Sequence, residues 1–153
     1  MTNFDRDLLI QLHDVARMLR TRFDRWARTY GLTRAQGVIL ARLYRQPGLS
    51  QIEMAAICEV EPITVGRLVD RLEARGLIER RADPTDRRIK RLHLLPAAGP
   101  IVAKIETYRN ELSEYLLDGA SAKEREGVVD VLLQMKNKLT METSGEELVV
   151  GGE

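Results

Sequence analysis

Residues 61–76, EPITVGRLVDRLEARG, are the segment from which the rest of the chain is interpreted, because they have the pattern of a short helix with two different faces. Pro62 suits the first helical position, where its missing N–H costs nothing, and Gly76 suits the left-handed turn that ends a helix. Apolar residues at helical spacing predict the buried face: Val65, Leu68, Val69 and Leu72. The other face begins with small or short side chains and arginine, so it could lie in a groove.

Two further helices are predicted before this segment. Thr33 begins a capping box, because Gln36 follows it by three residues. Ser50 begins a second box with Glu53. The first helix should run to about residue 45 and the second to about residue 58, with a Pro-Gly break between them. A short helix followed closely by another with a polar and basic outer face is the helix-turn-helix pattern.

After Gly76 the periodicity changes from helical to alternating. Residues 78–83 and 89–94 predict the two strands of a hairpin, and the turn between them, DPTDRR, starts with residues that favour turns. Asp83 and Asp86 are predicted to support this turn. A helix-turn-helix followed by a basic hairpin is a winged helix. The predicted fold class is therefore mainly α with a small β-hairpin wing: a winged helix-turn-helix plus a helical dimerisation region.

Amphipathic helices flank this lobe. Residues 5–30 contain no proline or glycine and repeat apolar side chains with helical period, and further helices are predicted at 97–118 and 121–139. Ser121 and Glu124 form a third capping box. Because a winged helix is too small to cover these apolar stripes, we interpret them as a dimerisation bundle. The predicted division is one domain at 1–153, with the winged lobe at 32–95, dimerisation helices at 4–30 and 97–140, and a flexible tail at 141–153.

Charge is unevenly distributed along the 153 residues, although the formal net charge is only +1. Up to residue 45, nine arginines oppose four acidic residues, whereas eleven acidic residues oppose five basic ones beyond residue 105. The first part therefore suits a polyanion and the last part does not.

The inventory of side chains disfavours several classes of function. A single cysteine, Cys58, allows neither an internal disulfide nor a Cys-based zinc site, so a reducing cytosol is expected. The sequence shows neither a run for a membrane span nor a signal-peptide core, which predicts a soluble, cytoplasmic protein. His13 and His93 lie far apart, and we find no catalytic triad, metal-ligand spacing or glycine-rich phosphate loop. Neither an enzyme nor a bound cofactor or metal is predicted.

The order of these elements resembles the MarR family of bacterial transcriptional regulators. The resemblance rests on LT at 32–33, SQ at 50–51, LEARGLI at 72–78, DPTDRR at 83–88 and LHL at 92–94. Its most specific part is Leu-Glu-x-x-Gly-Leu-Ile followed at this distance by Asp-x-x-Asp-Arg-Arg. The chain departs from the family at Leu95-Pro96, where Leu-Thr usually opens the next helix. We therefore expect proline, rather than a threonine cap, to set that helix start.

The resemblance implies a homodimer that binds a pseudo-palindromic operator in double-stranded DNA, often as a repressor. The recognition helix would be residues 62–75 in the major groove, and the wing would be residues 83–90 in the minor groove. Family members often release DNA when a small aromatic or phenolic acid binds between the DNA-binding lobe and the dimer interface. The alternative function is a winged-helix module that binds another protein without specific DNA binding. A steep salt dependence of DNA binding would distinguish the two.

Four predicted DNA contacts lie on the helix at 62–75. Arg67 is placed to reach a guanine edge, and Arg71 or Arg75 to reach a phosphate. The competing interpretation is surface charge balance with nearby acidic residues, Asp70 and Glu73. Ile63 and Thr64 suit thymine methyl groups or base edges, although an isolated isoleucine also suits a core. Gly66 in mid-helix would fit either a close approach to DNA or a neutral surface position.

Four further contacts are predicted outside this helix. Arg87 and Arg88 suit the negative potential of the minor groove, but either could instead form a salt bridge to the aspartates of the turn. We expect one of them to hold the turn and Arg87 to reach DNA. Ser50 and Gln51 suit a phosphate at a helix N-terminus, although Ser50 suits a simple cap equally well.

The first predicted helix combines aromatic and basic residues: His13, Arg17, Arg20, Trp26 and Tyr30. As a ligand site they would bind a carboxylate through arginine and a ring through aromatic side chains, in a cleft beside the winged lobe. As structure, Trp26 would belong to the core and the arginines to the solvent-exposed face. Cys58 could sense oxidants, but a buried cysteine on an apolar helix is usually inert.

Overall fold

The computed structural model describes residues 3–143, and within that range it contains six α-helices and one two-stranded antiparallel sheet. The helices are α1 Leu8–Arg28, α2 Arg34–Arg45, α3 Gln51–Cys58, α4 Pro62–Ala74, α5 Gly99–Leu116 and α6 Ala122–Thr143. The strands are β1 Ile78–Ala82 and β2 Lys90–Leu94, and short 3-10 turns at Phe4–Arg6 and Pro96–Ala98 precede α1 and α5. The predicted mainly α fold with a hairpin wing is confirmed.

Two boundary predictions concern the ends of the described range. The tail predicted at 141–153 is helical as far as Thr143, and its remaining residues lie outside the described residues. α1 begins three residues later than position 5, because Asp7 accepts hydrogen bonds from the N–H groups of Leu9 and Ile10 and so caps the helix there. Within residues 3–143, no helix combines the length and the apolar character that crossing a bilayer requires.

Capping boxes fix the starts of three helices. All three predicted capping boxes are formed, and their pairs are Thr33–Gln36, Ser50–Glu53 and Ser121–Glu124. Gly76 follows α4 with a φ of +70°, the left-handed conformation that the sequence predicted. The turn between α3 and α4 passes through Glu59 at a φ of +55°, where its N–H bonds back to α3.

The core of the winged lobe lies on the inner side of α4. Val65, Val69 and Leu72 are fully buried, as the helical spacing predicted, and Leu68 is half-buried. The same cluster contains fully buried residues of the neighbouring elements: Ile39, Leu40 and Leu43 of α2, Met54 of α3, Ile78 of β1 and Leu92 of β2. Burying one such side chain stabilises the fold by about 1.5–3 kcal/mol. This core therefore fixes which face of α4 is exposed.

The segment before α3 holds the base of the hairpin. The Gly48 N–H donates to the Leu92 carbonyl (3.0 Å), and the Leu92 N–H donates to the Leu49 carbonyl (2.9 Å). Ser50 forms an antiparallel bridge with Arg91. Since β1 pairs with the other edge of β2, this strand is bonded on both sides and the wing projects from a fixed base.

By its internal contacts the chain divides into two compact units after Tyr108. In the second unit, Arg125 secures the turn between α5 and α6 by donating to Glu114 (2.8 Å) and to the carbonyls of Leu117 (3.0 Å) and Ala120 (3.3 Å). α6 exposes a series of large apolar side chains: Val128, Val129, Val131, Leu132, Leu133 and Met141.

The packing of α1 on α2 generates a stability prediction. A Cβ at Gly37 of α2 would lie 2.8 Å from Cζ of Phe23, whose ring is stacked on Trp26. Overpacking in Gly37→Ala should cost about 1–3 kcal/mol, and the better helix propensity of alanine should offset about 1 kcal/mol of that cost. The variant should therefore be less stable than the wild type. The measurement is urea-induced unfolding. Gly99→Ala is the matched control, because its Cβ would meet no atom within 4 Å. Equal stability of the two variants would contradict close packing of Phe23 on Gly37.

Candidate nucleic-acid interface

The outer face of α4 is exposed where the sequence predicted contacts. Ile63, Thr64, Arg67 and Arg71 are all exposed, and Ile63 keeps 67% of its surface accessible. Within residues 3–143, neither Arg67 nor Arg71 forms an ion pair. This face therefore offers two guanidinium groups for base edges or phosphates and one large apolar side chain for a methyl group.

The acidic residues of α4 bind an arginine of the hairpin rather than the arginines of their own helix. Arg80 Nη2 lies 2.8 Å from Asp70 Oδ1, and Nη1 lies 3.2 Å from Glu73 Oε1. Among the described residues, the alternative surface pairings of Arg67 with Asp70 and of Arg71 with Glu73 are therefore not formed. Sequence reasoning gave Arg80 no role. The sequence did indicate such a role, because Arg80 is on the same face of its strand as the apolar Ile78, and a charged side chain on a core-facing side needs a partner.

Gly66 is explained by contact with α3. A Cβ at this position would lie 3.2 Å from Nε2 of Gln51, and the Gly66 carbonyl accepts a hydrogen bond from Arg80 Nη2 (3.0 Å). The sequence suggested close approach to DNA or a neutral surface position, and neither explanation included this contact. Glycine leaves room for the Gln51 side chain against α4.

Ser50 and Gln51 are engaged inside the lobe. Ser50 is buried, its hydroxyl accepts from the Glu53 N–H (3.1 Å), and its own N–H donates to the Glu53 carboxylate (2.7 Å). Gln51 Oε1 accepts from Arg80 Nε (3.1 Å). The two side chains thus serve capping and packing here, and their contact with phosphate stays a prediction. A phosphate at this helix start would also meet the backbone N–H groups of the first turn.

Asp83 organises the turn of the wing. Its Oδ1 accepts from the Thr85 hydroxyl (2.6 Å), the Thr85 N–H (2.8 Å) and the Asp86 N–H (3.1 Å), while Oδ2 accepts from Arg91 Nε. Arg91 also donates to the Gly48 carbonyl (3.0 Å). The hydrogen bonds from Thr85 and then from Arg91 hold the pKa of Asp83 well below its ordinary value. The expected role of Asp83 in the turn is thus supported, but its cationic partner, Arg91, was missed.

The two arginines at the wing tip differ in their contacts. Arg88 donates to both oxygens of Asp86 at 3.1 Å, although 91% of its side chain is exposed. Arg87 is exposed and forms no ion pair within residues 3–143. The expected division, with one arginine holding the turn and Arg87 pointing to a partner, is compatible with this arrangement.

These features match known proteins. The model of the MarR family matches residues 32–90, which contain the helix-turn-helix and the wing. The crystal structure of the transcriptional regulator PA3341 is 33% identical and covers 85% of this chain and 96% of that chain, with a TM-score of 0.75. The chain belongs to the MarR family.

Two more structures of MarR-type folds extend the comparison. MarR itself is 26% identical, with 95% of this chain and 99% of that chain covered and a TM-score of 0.78. A complex of S. aureus MepR with DNA shares the fold at 24% identity, with 91% and 99% covered and a TM-score of 0.71. The resemblance seen in the sequence is confirmed, and this MarR-family chain is a transcriptional regulator rather than an enzyme.

The predicted ligand residues do not form one site in this MarR-family chain. His13, Arg17 and Arg20 are exposed on α1, and Arg17 pairs with Asp14 of the same helix. Thirteen residues of α-helix separate His13 from Trp26, which is about 20 Å at 1.5 Å per residue. Trp26 and Tyr30 lie instead in an aromatic cluster, whose other members are Phe23 and Tyr108. The five-residue site is therefore corrected to two separate groups.

An apolar pocket of about 290 Å³ lies between α2, the end of β2 and α5. Its lining is Tyr44, Leu94, Leu95, Pro96, Gly99, Val102, Ala103 and Glu106. Glu106 Oε2 bonds to Arg45 (2.6 Å), while Oε1 is buried and has no hydrogen-bond partner among the described residues. Sequence reasoning missed this pocket, because its lining comes from three segments with no shared pattern.

Cys58 is buried at the end of α3. Burial raises the pKa of its thiol, and the positive charges of Arg34 and Arg42 oppose that effect only in part. This environment favours the inert interpretation of Cys58 over oxidant sensing.

The Asp83 network generates a prediction about pH. Because the folded-state pKa lies below the unfolded value of about 3.9, the charged carboxylate stabilises the fold fully above about pH 5 and loses this effect as pH falls below about 4. Asp83→Asn should lower the urea midpoint at neutral pH, and its difference from the wild type should shrink below about pH 4. The more exposed Asp86→Asn variant is the control and should have the smaller effect. A difference that grows in acid would contradict the role given to Asp83.

Proposed function

We propose that this MarR-family regulator binds double-stranded DNA through the lobe at 32–95, with the recognition helix at 62–75 in the major groove and the wing at 83–90 in the minor groove. The observation that carries the proposal is the distribution of arginine partners. Arg67, Arg71 and Arg87 are exposed and form no ion pair within residues 3–143, whereas Arg80 and Arg91 are held by internal acids. MepR, which shares the fold, has been crystallised with DNA.

The protein acts as a homodimer in this proposal, with the helical segments 4–30 and 97–140 forming the dimerisation region of a single domain. Two sets of exposed apolar side chains support this: Leu8, Leu9, Val15 and Met18 on α1, and Val128, Val131, Leu132 and Leu133 on α6. Clustered exposed apolar side chains on a soluble chain mark interaction surfaces. A two-fold dimer presents two recognition helices, so its operator would be pseudo-palindromic.

The protein represses transcription in the cytoplasm by occupying this operator, and a small aromatic acid releases it. Support for an anionic effector comes from Lys104, whose Nζ lies 4.8 Å from the ring centroid of Tyr30, beside Trp26. A carboxylate and an aromatic ring could be bound there together. The pocket at Glu106 is a poorer site for an anion, because its carboxylate would repel the charge.

The deciding experiment measures binding to an operator selected from a random duplex library, at several salt concentrations, with and without a panel of aromatic acids. DNA binding with a steep salt dependence supports the proposal, and weakening by an aromatic acid supports the effector. Absence of binding to any duplex at low salt would favour the alternative, a protein-binding winged-helix module.

Mutations in the recognition helix and in the wing should weaken DNA binding in different ways. Arg67→Ala should cost about 1–3 kcal/mol per half-site on the operator and little on unrelated DNA, because it removes a base-edge contact. Arg87→Ala should weaken binding in proportion to how narrow the flanking minor groove is, and it should flatten the salt slope. The measurement is a binding series on operator, flank-swapped operator and unrelated duplex.

Arg81→Ala is the matched control for this series, because Arg81 is an exposed arginine of β1 that is already paired with Glu79 (2.6 Å). It should change the salt slope least. Equal losses on all three duplexes for Arg67→Ala would mean that Arg67 touches only phosphate. An unchanged affinity for Arg87→Ala would remove the wing from the interface.

Assembly gives a separate prediction. Light scattering at micromolar concentration should give twice the 17.4 kDa mass of the chain. Leu132→Glu should shift the protein toward monomers, because it places a charge among apolar side chains that a partner would cover. Asn137→Glu, at an exposed polar position of the same helix, should leave the mass unchanged. A monomeric wild type would exclude the dimerisation region.

A further inference from the structure

The guanidinium group of Arg80 joins β1 to both helices of the helix-turn-helix. Its Nε donates to Gln51 Oε1 of α3 (3.1 Å), and its Nη2 donates to the Gly66 carbonyl of α4 (3.0 Å). The same group pairs with Asp70 at 2.8 Å and with Glu73 at 3.2 Å. The Arg80 N–H also donates to the Glu73 carboxylate (3.2 Å). Only 21% of the Arg80 side chain is exposed, so these bonds form in a partly desolvated site where they are strengthened.

This set of contacts requires an arginine. A guanidinium presents five N–H donors in a rigid planar fork, and here the fork meets an amide, a backbone carbonyl and two carboxylates. Lysine carries three donors on a single nitrogen and is a compact point charge, so it cannot make all of these contacts at once. Arg80→Lys is therefore a mild way to release α4 without removing the positive charge.

Asp70 has a competing cation on its own helix. Arg67 lies three residues before Asp70, a spacing that makes the two side chains neighbours on the helix surface. Asp70 is 66% exposed and is held by Arg80, while Arg67 forms no ion pair within residues 3–143. If Arg80 were lost, the Asp70 carboxylate would be left beside Arg67 and would attract its guanidinium away from DNA.

We propose that Arg80 is a positioning residue for base recognition, which fixes α4 on α3 and β1 and keeps Asp70 from capturing Arg67. Arg80 itself does not need to touch DNA for this role. The inference rests on the proposed DNA-binding function, because it concerns how the recognition helix is presented.

The test is a double-mutant cycle between positions 67 and 80. The measured quantity is the ratio of affinities for the selected operator and for an unrelated duplex. Arg67→Ala should lower this ratio by about 5- to 150-fold per half-site in the wild-type background. In the Arg80→Lys background, the same change should lower it by no more than about twofold, which is the usual error of additivity. Thermal unfolding of each variant shows that the comparison is made on folded protein.

Two further variants separate this role from general stabilisation. Asp70→Asn should raise the affinity ratio of Arg80→Lys, because it removes the carboxylate that captures Arg67, and it should change the ratio little in the wild-type background. Arg81→Lys is the matched control, since Arg81 is the neighbouring exposed arginine and its ion pair within residues 3–143 is a local one with Glu79. It should leave the effect of Arg67→Ala unchanged.

The outcomes distinguish this inference from the proposed function. Additive effects of Arg67→Ala and Arg80→Lys on an operator that the wild type binds specifically would overturn the inference and leave DNA binding intact. Failure of Asp70→Asn to restore the ratio would overturn the part of the proposal that concerns Asp70. A wild type without specific DNA binding would instead overturn the proposed function.

Discussion

Two arginine networks, one from each strand, attach the hairpin to the winged lobe. Arg80 of β1 binds α3 and α4, and Arg91 of β2 binds the Asp83 carboxylate and the Gly48 carbonyl. The core sets which face of α4 is exposed, but apolar packing is itself non-directional. Charge-assisted hydrogen bonds are stronger and more directional than neutral ones, so they add a defined geometry between the hairpin and the helices. The position of the wing relative to the recognition helix depends on these two side chains.

This use of arginine separates the basic residues of the lobe into two groups. Arg80 and Arg91 are neutralised by carboxylates within the lobe, so they add little to the long-range field. Arg67, Arg71 and Arg87 are exposed without an ion pair in residues 3–143, so their charges remain available to a polyanion. The net charge of +1 does not show this difference, because it also counts the acidic residues that already form ion pairs. Attraction for a polyanion thus depends on which arginines are not neutralised by a carboxylate, rather than on the total number of arginines.

The secondary structure was predictable because its determinants are local. Capping boxes join residues three apart, and helical or alternating periodicity is visible within a single segment. The partners in the site were not predictable, because they join distant parts of the chain: Arg80 and Gln51 are 29 residues apart, and Arg91 and Gly48 are 43 apart. The phase of Arg80 in its strand showed that it needed acceptors, but only the packing of α3 on α4 determined which ones. For the same reason, the aromatic and basic residues of α1 looked like one site in sequence although the helix separates them.

The start of α5 illustrates how a departure from the family pattern is accommodated. Leu95 is extended and has no side-chain cap, and Pro96 occupies the first position of a 3-10 turn, as its fixed φ favours. The Leu95 N–H donates to the Leu77 carbonyl (2.9 Å), so the pairing of the hairpin continues to the residue before the proline. A backbone bond, rather than a threonine hydroxyl, therefore fixes where the chain leaves β2. Since Leu95 and Pro96 also line the pocket that contains Glu106, the connection between the wing and α5 forms one wall of that pocket.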